Sequence, residues 1–268
     1  MKKVVVVFIG LILFSCGETN SNQSNNSDSS DSTQVAEDVK PFKKIEFPSK
    51  DSLTISANLY EADNSYPLMI LFHQRGFCKF EYAGVAERFN KLGYNCLAVD
   101  LRCGGPIANE PNETWLRAVE QNKPTDFLDA DQDIAAAIEY GYNLYERPVI
   151  LLGSSYSSTL VIYHAISNEQ VAAVISFSPG NYFFYDGVKS DLTSDLIKFE
   201  KPFFFTAARE EMPYVRELVM GRQRTENQIV FAPEGEGHHG ARALWPDQVD
   251  GEEYWAALEL FLQKLEVE

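Results

Sequence analysis

Basic residues are in short supply: 23 Lys and Arg stand against 39 Asp and Glu, a formal charge of −16 with His neutral. That balance argues against duplex DNA or RNA as a partner, because phosphate approach is costly without a concealed basic patch. Cysteine is scarce as well. Four Cys in 268 residues, with no Cys-x-x-Cys pair, make no disulfide scaffold, and four His leave finger-type structural zinc nearly excluded. The apolar run at the N-terminus, Val4 to Phe14, has eleven residues and is too short to span a bilayer. What the chain does have is core: it is 45% hydrophobic, 13% aromatic and 23% charged, which rules out a wholly disordered chain.

The short apolar run has the right length for the core of a signal peptide, with Lys2 and Lys3 as its basic region. Leu13-Phe14-Ser15-Cys16 resembles the lipobox of bacterial lipoproteins, with Phe14 a less usual filler. The resemblance implies cleavage before Cys16, lipid on its thiol, and display on the periplasmic or outer face of a membrane. Several acyl chains make such an anchor stable where one is marginal. An ordinary signal peptide with an incidental Cys is the plain alternative. Thr19 to Thr33 holds six Ser, four Asn and no hydrophobic residue, so it cannot offset its ordering entropy by burial. The expected division is a signal peptide over 1–15, a lipidated Cys16 and tether over 16–40, and one folded domain over 41–268.

Within that domain short apolar runs alternate with amphipathic stretches, the mark of an α/β layer fold. Strands are predicted at Lys44 to Pro48, Leu53 to Tyr60, Pro67 to His73, Tyr94 to Asp100, Pro148 to Gly153, Val171 to Phe177, Pro202 to Thr206 and Gln228 to Ala232. The nearly all-apolar ones read as central strands buried on both faces. Helices are predicted at Glu81 to Lys91, Asp129 to Tyr140, Ser157 to Ser167 and Glu253 to Leu265. The class is therefore α/β, with a mostly parallel sheet of about eight strands and helices on both faces.

The sharpest local signal is Val149-Ile150-Leu151-Leu152-Gly153-Ser154-Ser155-Tyr156-Ser157-Ser158, an apolar strand running into small residues and a helix. A turn that tight lifts its central side chain above the sheet, and its neighbours at −2 and +2 must be small. Gly153 meets the demand; Ser157 meets it less well. Ser155 then occupies the place of a nucleophilic hydroxyl, with a helix N-terminus behind it to face an oxyanion. A helix N-cap is the structural alternative for such a Ser. A serine nucleophile needs a base, and the base an orienting acid. His164 reads as mid-helix packing and His73 as the end of a strand, which leaves His238 and His239 as bases. Glu210 and Glu211, following the Pro202 strand, are the acids.

The order Ser, acid, His is that of the α/β-hydrolases, and the chain resembles this superfamily in its dienelactone-hydrolase-like and carboxylesterase-like branches. Four blocks carry the resemblance: Leu71 to Gly76, Ala98 to Gly105, Gly153 to Ser157, and Gly237 to Gly240. It implies an α/β-hydrolase fold without a large lid, Ser155 as nucleophile, His239 as base and Glu211 as acid. It also implies oxyanion donors from the backbone N–H of Gln74 or Arg75 and of Tyr156. Departures are Glu for Asp, Ser157 for Gly, and Gln74 for the usual Gly.

The activity so implied is cleavage of a small-molecule ester through a covalent acyl-enzyme, with no metal or organic cofactor. Asp129, Asp131 and Asp133 lack the Gly and terminal Glu of a calcium loop and suit a helix N-terminus instead. Asn181 to Tyr185 offers an aromatic wall for an acyl pocket, or packing for a loop. Gly105 to Thr125, with Trp115, is long enough to shape a cleft. A non-catalytic envelope lipoprotein on the same fold, or a serine peptidase, are the alternatives. The membrane is expected through the lipid anchor alone, and the oligomeric state is left open. Because the family places the Cys78 and Cys103 loops on adjacent strand ends, a Cys78–Cys103 disulfide is expected, with Cys96 a core thiol.

Overall fold

The computed structural model describes residues 41–185 and 187–265. The expected signal segment 1–15, the lipidation site Cys16 and the tether 16–40 lie outside the described residues. Eight strands form one sheet: β1 Lys43–Pro48, β2 Thr54–Tyr60, β3 Leu68–Phe72, β4 Asn95–Val99, β5 Val149–Ser154, β6 Val171–Phe177, β7 Phe203–Thr206 and β8 Gln228–Val230. Their spatial order is β1-β2-β4-β3-β5-β6-β7-β8. β2 runs antiparallel to both β1 and β4, and every pairing from β4 through β8 is parallel.

The apolar runs read as central strands are buried on both faces. β3, Leu-Met-Ile-Leu-Phe, divides by the two-residue period of a strand. Leu68, Ile70 and Phe72 join one core layer and Met69 and Leu71 the other. The helices are α1 Val85–Lys91, α2 Glu113–Glu120, α3 Asp131–Tyr145, α4 Tyr156–Ala165, α5 Tyr182–Tyr185, α6 Leu192–Leu196, α7 Met212–Leu218 and α8 Gly251–Leu262. Val85 and Phe89 of α1 and Trp255, Leu258 and Phe261 of α8 cover one face of the sheet. Ile134 and Ile138 of α3, Leu160 of α4, Leu196 of α6 and Val215 of α7 cover the other. No helix among the described residues is long and apolar enough to cross a membrane.

Several element bounds differ from expectation for local reasons. The helix predicted from Glu81 splits into a 3₁₀ turn, Lys79–Tyr82, and α1, with Gly84 as the N-cap between them. α3 runs one turn beyond Tyr140 and stops at Glu146, whose left-handed backbone (φ 52°) leads into Pro148. α2 and α7 were not anticipated. α2 starts where the Asn112 side chain accepts the N–H of Trp115. That helix turns the 105–125 stretch from a loose cleft wall into a brace, since Asn112 Nδ2 also donates to Leu101 O and Phe77 O.

A second brace is ionic. Arg102, wholly buried, follows β4 and makes hydrogen bonds to Asp133 of α3 and to Asp51 in the β1–β2 turn. Its backbone N–H donates to Asp133 Oδ2 at 3.0 Å, and Ser49 Oγ donates to Asp133 Oδ1 at 2.9 Å. Removing Asp133 leaves the buried guanidinium with Asp51 alone and strands the donors Asp133 satisfied, which costs about 1–3 kcal/mol. Asp133→Ala is expected to lower the unfolding free energy by about that amount. Urea denaturation measures it, and a loss below ~1 kcal/mol contradicts this role.

Candidate active site

The C-terminal ends of β3, β5, β6, β7 and β8 carry the residues singled out by the sequence. Gly153 and Ser154 end β5, and Ser155 stands between the strand and the first turn of α4 with φ 59° and ψ −124°. Positive φ in a non-glycine residue costs of order 1–3 kcal/mol and persists only where the surroundings over-determine it. Here they do. Ser155 N–H donates to Phe177 O at 2.8 Å, and α4 crosses so near β5 that a Cβ on Gly153 would lie 2.5 Å from Ser158 Cα. The hydroxyl of Ser157, expected to crowd this turn, is instead accommodated and buried. It accepts Ser154 N–H at 2.9 Å and lies 2.8 Å from Phe72 O, so it fastens the turn to β3.

Ser155, His239 and Glu211 meet. His239 Nε2 is 2.8 Å from Ser155 Oγ, and Nδ1 is 2.5 Å from Glu211 Oε1. A carboxylate only accepts, so the ring proton belongs on Nδ1, and Nε2 is left to accept from the serine hydroxyl. Glu211 is held from its other side: Oε2 accepts Ser178 Oγ–H at 2.6 Å and Ala208 N–H at 3.3 Å. Burial raises the Glu211 pKa, but the hydrogen bonds from His239 and Ser178 outweigh it and hold the carboxyl below its ordinary value. The His239 side chain stays 42% exposed, so water can reach the ring.

Of the paired candidates, Glu210 is exposed and makes no side-chain hydrogen bond among the described residues. The His238 ring likewise has none, while its backbone N–H donates to Tyr254 Oη at 3.4 Å. His164 lies against Asp131. His73 is fully buried. Its Nε2 accepts Leu101 N–H at 2.9 Å, which puts its proton on Nδ1, 2.8 Å from Gln74 O. Burial lowers the His73 pKa, so the ring is a neutral latch between β3 and the loop after β4.

Sequence reasoning missed Ser178. It follows β6 with φ 59°, accepts Gly240 N–H at 2.9 Å and donates to Glu211, and so ties the His239 loop to Glu211. A lone Ser after an apolar strand carries no local signal for that role. Gly240 has φ 70°, and a Cβ there would lie 2.6 Å from Ser154 Oγ, so the chain after His239 can pass only as glycine.

Two expectations are corrected. The Gln74 N–H, one of the two alternatives for an oxyanion donor, is consumed: it donates to Glu81 Oε2 at 2.7 Å. Gln74 O accepts from His73 Nδ1 and from Phe77 N–H at 3.3 Å. In a trans peptide the following N–H points the opposite way. The Arg75 N–H is therefore turned away from these partners and makes no hydrogen bond among the described residues. Tyr156 N–H, in the first turn of α4, has no acceptor within its helix. The N–H groups of Arg75 and Tyr156 are left without a hydrogen-bond acceptor among the described residues.

The second correction is the Cys78–Cys103 disulfide, which is not formed. Cys78, Cys96 and Cys103 are all free and buried. β3 and β4 are adjacent as expected, but the thiols face different partners. Cys78 donates to Glu110 O at 3.7 Å, and Cys103 to the Tyr156 hydroxyl. Burial pushes Cys78 up to about 11 and Cys103 up to about 12, which leaves little thiolate for exchange.

Three cavities border the site: a groove of about 500 Å³ over Ala208, Glu210, Gly237, His238 and His239, and two more, one on either side. One of about 350 Å³ lies beside Glu211 and is lined by Ser178, Tyr182, Thr193, Tyr214 and Leu218. The other, about 550 Å³, is lined by Arg75, Cys103, Phe127, Leu128, Phe183 and Val188. It opens beside Tyr156, whose ring stacks on Phe127 at 4.8 Å. The expected aromatic wall is thus divided, Tyr182 serving one cavity and Phe183 the other.

No family model and no curated protein matches the sequence. Solved structures do superpose. An esterase of Pyrococcus furiosus is similar over 83% of this chain and 91% of its own, at 18% identity and a TM-score of 0.63. A dienelactone hydrolase from Anabaena variabilis is similar over 84% of this chain and 98% of its own, at 14% identity and 0.59. An acylaminoacyl peptidase of Pyrococcus horikoshii covers 86% of this chain with 43% of its own, at 15% identity and 0.58.

The chain has the α/β-hydrolase fold.

Among the described residues of this α/β-hydrolase fold no large lid interrupts the strands; the short helices α5 and α6 stand between β6 and β7. The cysteine correction has a direct check. Denatured without reductant, Cys78 and Cys103 are expected to be fully alkylated in a peptide map. A linked Cys78–Cys103 peptide would contradict the structure.

Proposed function

We propose that this protein is a serine hydrolase that cleaves carboxylic esters through a covalent acyl-enzyme, with Ser155 as nucleophile, His239 as base and Glu211 as orienting acid. The observation that carries the reading is the continuous hydrogen-bonded series Ser155–His239–Glu211–Ser178, set on a strained turn at the end of the central strand. Glu211, at one methylene longer than Asp, reaches Nδ1 because Ser178 and Ala208 fix its far oxygen.

In the first step His239 Nε2 takes the proton from Ser155 Oγ as the oxygen attacks the ester carbonyl, and Glu211 stabilises the imidazolium. The N–H groups of Arg75 and Tyr156 face the developing oxyanion. The imidazolium then protonates the leaving alcohol. Water, activated by the same ring, repeats the attack and frees the acid. No step in this sequence calls for a metal or organic cofactor. The absence of a large lid favours small, soluble esters, with the flanking cavities receiving the acyl and alcohol parts.

The reading extends to location: Cys16 carries a lipid and residues 16–40 tether the hydrolase to a bacterial envelope membrane, on its periplasmic or outer face. The motif Leu13-Phe14-Ser15-Cys16 supports it, and so does the polar segment that follows. Cys16→Ala is expected to move the expressed protein from the detergent phase to the aqueous phase in a cloud-point partition. An unchanged partition refutes the lipid anchor.

Hydrolysis of short p-nitrophenyl esters is the test of activity. Ser155→Ala is expected to abolish turnover with the fold intact; equal rates would refute the nucleophile. Glu211→Gln is expected to lower kcat by about 10³–10⁴, by analogy with loss of the acid in other triads, while Glu210→Gln leaves it within about twofold. The reverse ranking would move the acid to Glu210.

A further inference from the structure

A carboxylate lies beneath the site, and the proton-transfer series does not use it. Glu81 is in the 3₁₀ turn Lys79–Tyr82 and is 2% exposed. Its Oε2 accepts Gln74 N–H at 2.7 Å, and its Oε1 accepts Ser154 Oγ–H at 2.9 Å, with Gln74 Nε2 at 3.4 Å. Ser154 Oγ in turn accepts Ala241 N–H at 2.8 Å, and the Glu81 backbone carbonyl accepts the indole N–H of Trp245 at 2.8 Å. Three loops therefore converge on one buried side chain. They are the loop after β3 that carries Arg75, the turn after β5 that carries Ser155, and the segment after β8 that carries His239.

We infer, resting on the serine-hydrolase reading above, that Glu81 is a positioning residue that fixes the Arg75 donor, Ser155 and His239 relative to one another. Every partner of its carboxylate is a donor. The Gln74 N–H can only donate, and the Ser154 hydroxyl, already accepting from Ala241, has its own proton free for Oε1. The ionised form satisfies all of them at once, whereas an amide has one acceptor where two donors need one each. Glu81 fixes the peptide that enters Gln74, while His73 Nδ1 and Phe77 N–H fix the Gln74 carbonyl, so the peptide carrying the Arg75 N–H is anchored from both sides. Through Ser154 it also bounds the backbone of Gly240 and Ala241, directly after the base. Glu81 lines neither flanking cavity, so it acts through these groups and does not meet the substrate.

Burial raises the Glu81 pKa to about 7, against the pull of the Gln74 and Ser154 hydrogen bonds and the positive charge of Arg242. A buried carboxyl with a raised pKa favours the fold most below its ordinary value of 4.5 and loses that contribution as pH rises through about 7.

The test uses the full-length protein, with a fluorophosphonate as probe of Ser155 reactivity and a short p-nitrophenyl ester for kcat and KM. Misplacing reacting groups by an ångström costs up to about a hundredfold. Glu81→Gln is expected to lower kcat and the labelling rate by about ten- to a hundredfold, with KM within about twofold and the protein still folded at the assay temperature. Ser154→Ala, which cuts only the tie from Glu81 to Ala241, is expected to lower kcat in the same sense by a smaller factor. Wild-type kcat in a folded Glu81→Gln protein overturns the inference. So does a fall in kcat that tracks a fall in melting temperature in both variants. If Glu81→Gln does not fold, an unchanged kcat in Ser154→Ala overturns it. A wild-type protein that the probe does not label at Ser155 overturns the hydrolase reading and this one together; labelling of wild type and Glu81→Gln at equal rates overturns this one alone.

Discussion

Everything in the site depends on the close crossing of β5 and α4 at Gly153. With no Cβ on Gly153, the helix backbone can approach to contact distance, and the chain between must turn so sharply that Ser155 adopts positive φ. That turn lifts Oγ out of the sheet and places the Tyr156 N–H in the first turn of α4. The strain is borne by the surroundings, through the Ser155 N–H bond to Phe177 O and the Ser157 bonds to Ser154 and Phe72. A side chain at Gly153 would push α4 off the strand, and the other groups of the site would then face an empty position.

Around this crossing the protein uses buried polar groups as ties between loops. Arg102 joins the β1–β2 turn to α3, and Lys79 joins Asp100, whose other oxygen contacts include the N–H groups of Lys79 and Glu113. His73 and Asn112 tie the end of β3 to the loop after β4. Glu81 and Ser178 do the same for the loops that hold Arg75, Ser155, Glu211 and His239. Each tie is costly to bury and is compensated by full hydrogen bonding, which fixes loop positions more tightly than apolar packing does. Loops at strand ends have few other means of holding functional groups to within a fraction of an ångström.

The sheet was legible in the sequence because its strands are buried on both faces and read as continuous apolar runs, as in Leu68 to Phe72 and Val149 to Leu152. The order of Ser155, Glu211 and His239 was legible because each follows such a run. Choosing Glu211 over Glu210 and His239 over His238 needed the family resemblance, since neighbouring residues differ only in the direction a turn gives them. Long-range polar contacts were not legible. Nothing local marks Glu81, which sits in an amphipathic stretch and meets Ser154 seventy-three positions away. For the same reason the Gln74 N–H read as a free donor. The disulfide expectation failed one level higher: strand adjacency was right, but side-chain direction in the two loops is set by Glu110 and Tyr156.

The central claim is that ester cleavage passes through an acyl group on Ser155. Rapid mixing of the protein with a p-nitrophenyl ester, acid quench within the first turnover and mass spectrometry of the digested protein test it directly. The account expects one acyl group on the peptide containing Ser155, forming as the first equivalent of p-nitrophenol is released. Turnover with no adduct, or with the acyl group on another residue, would contradict it.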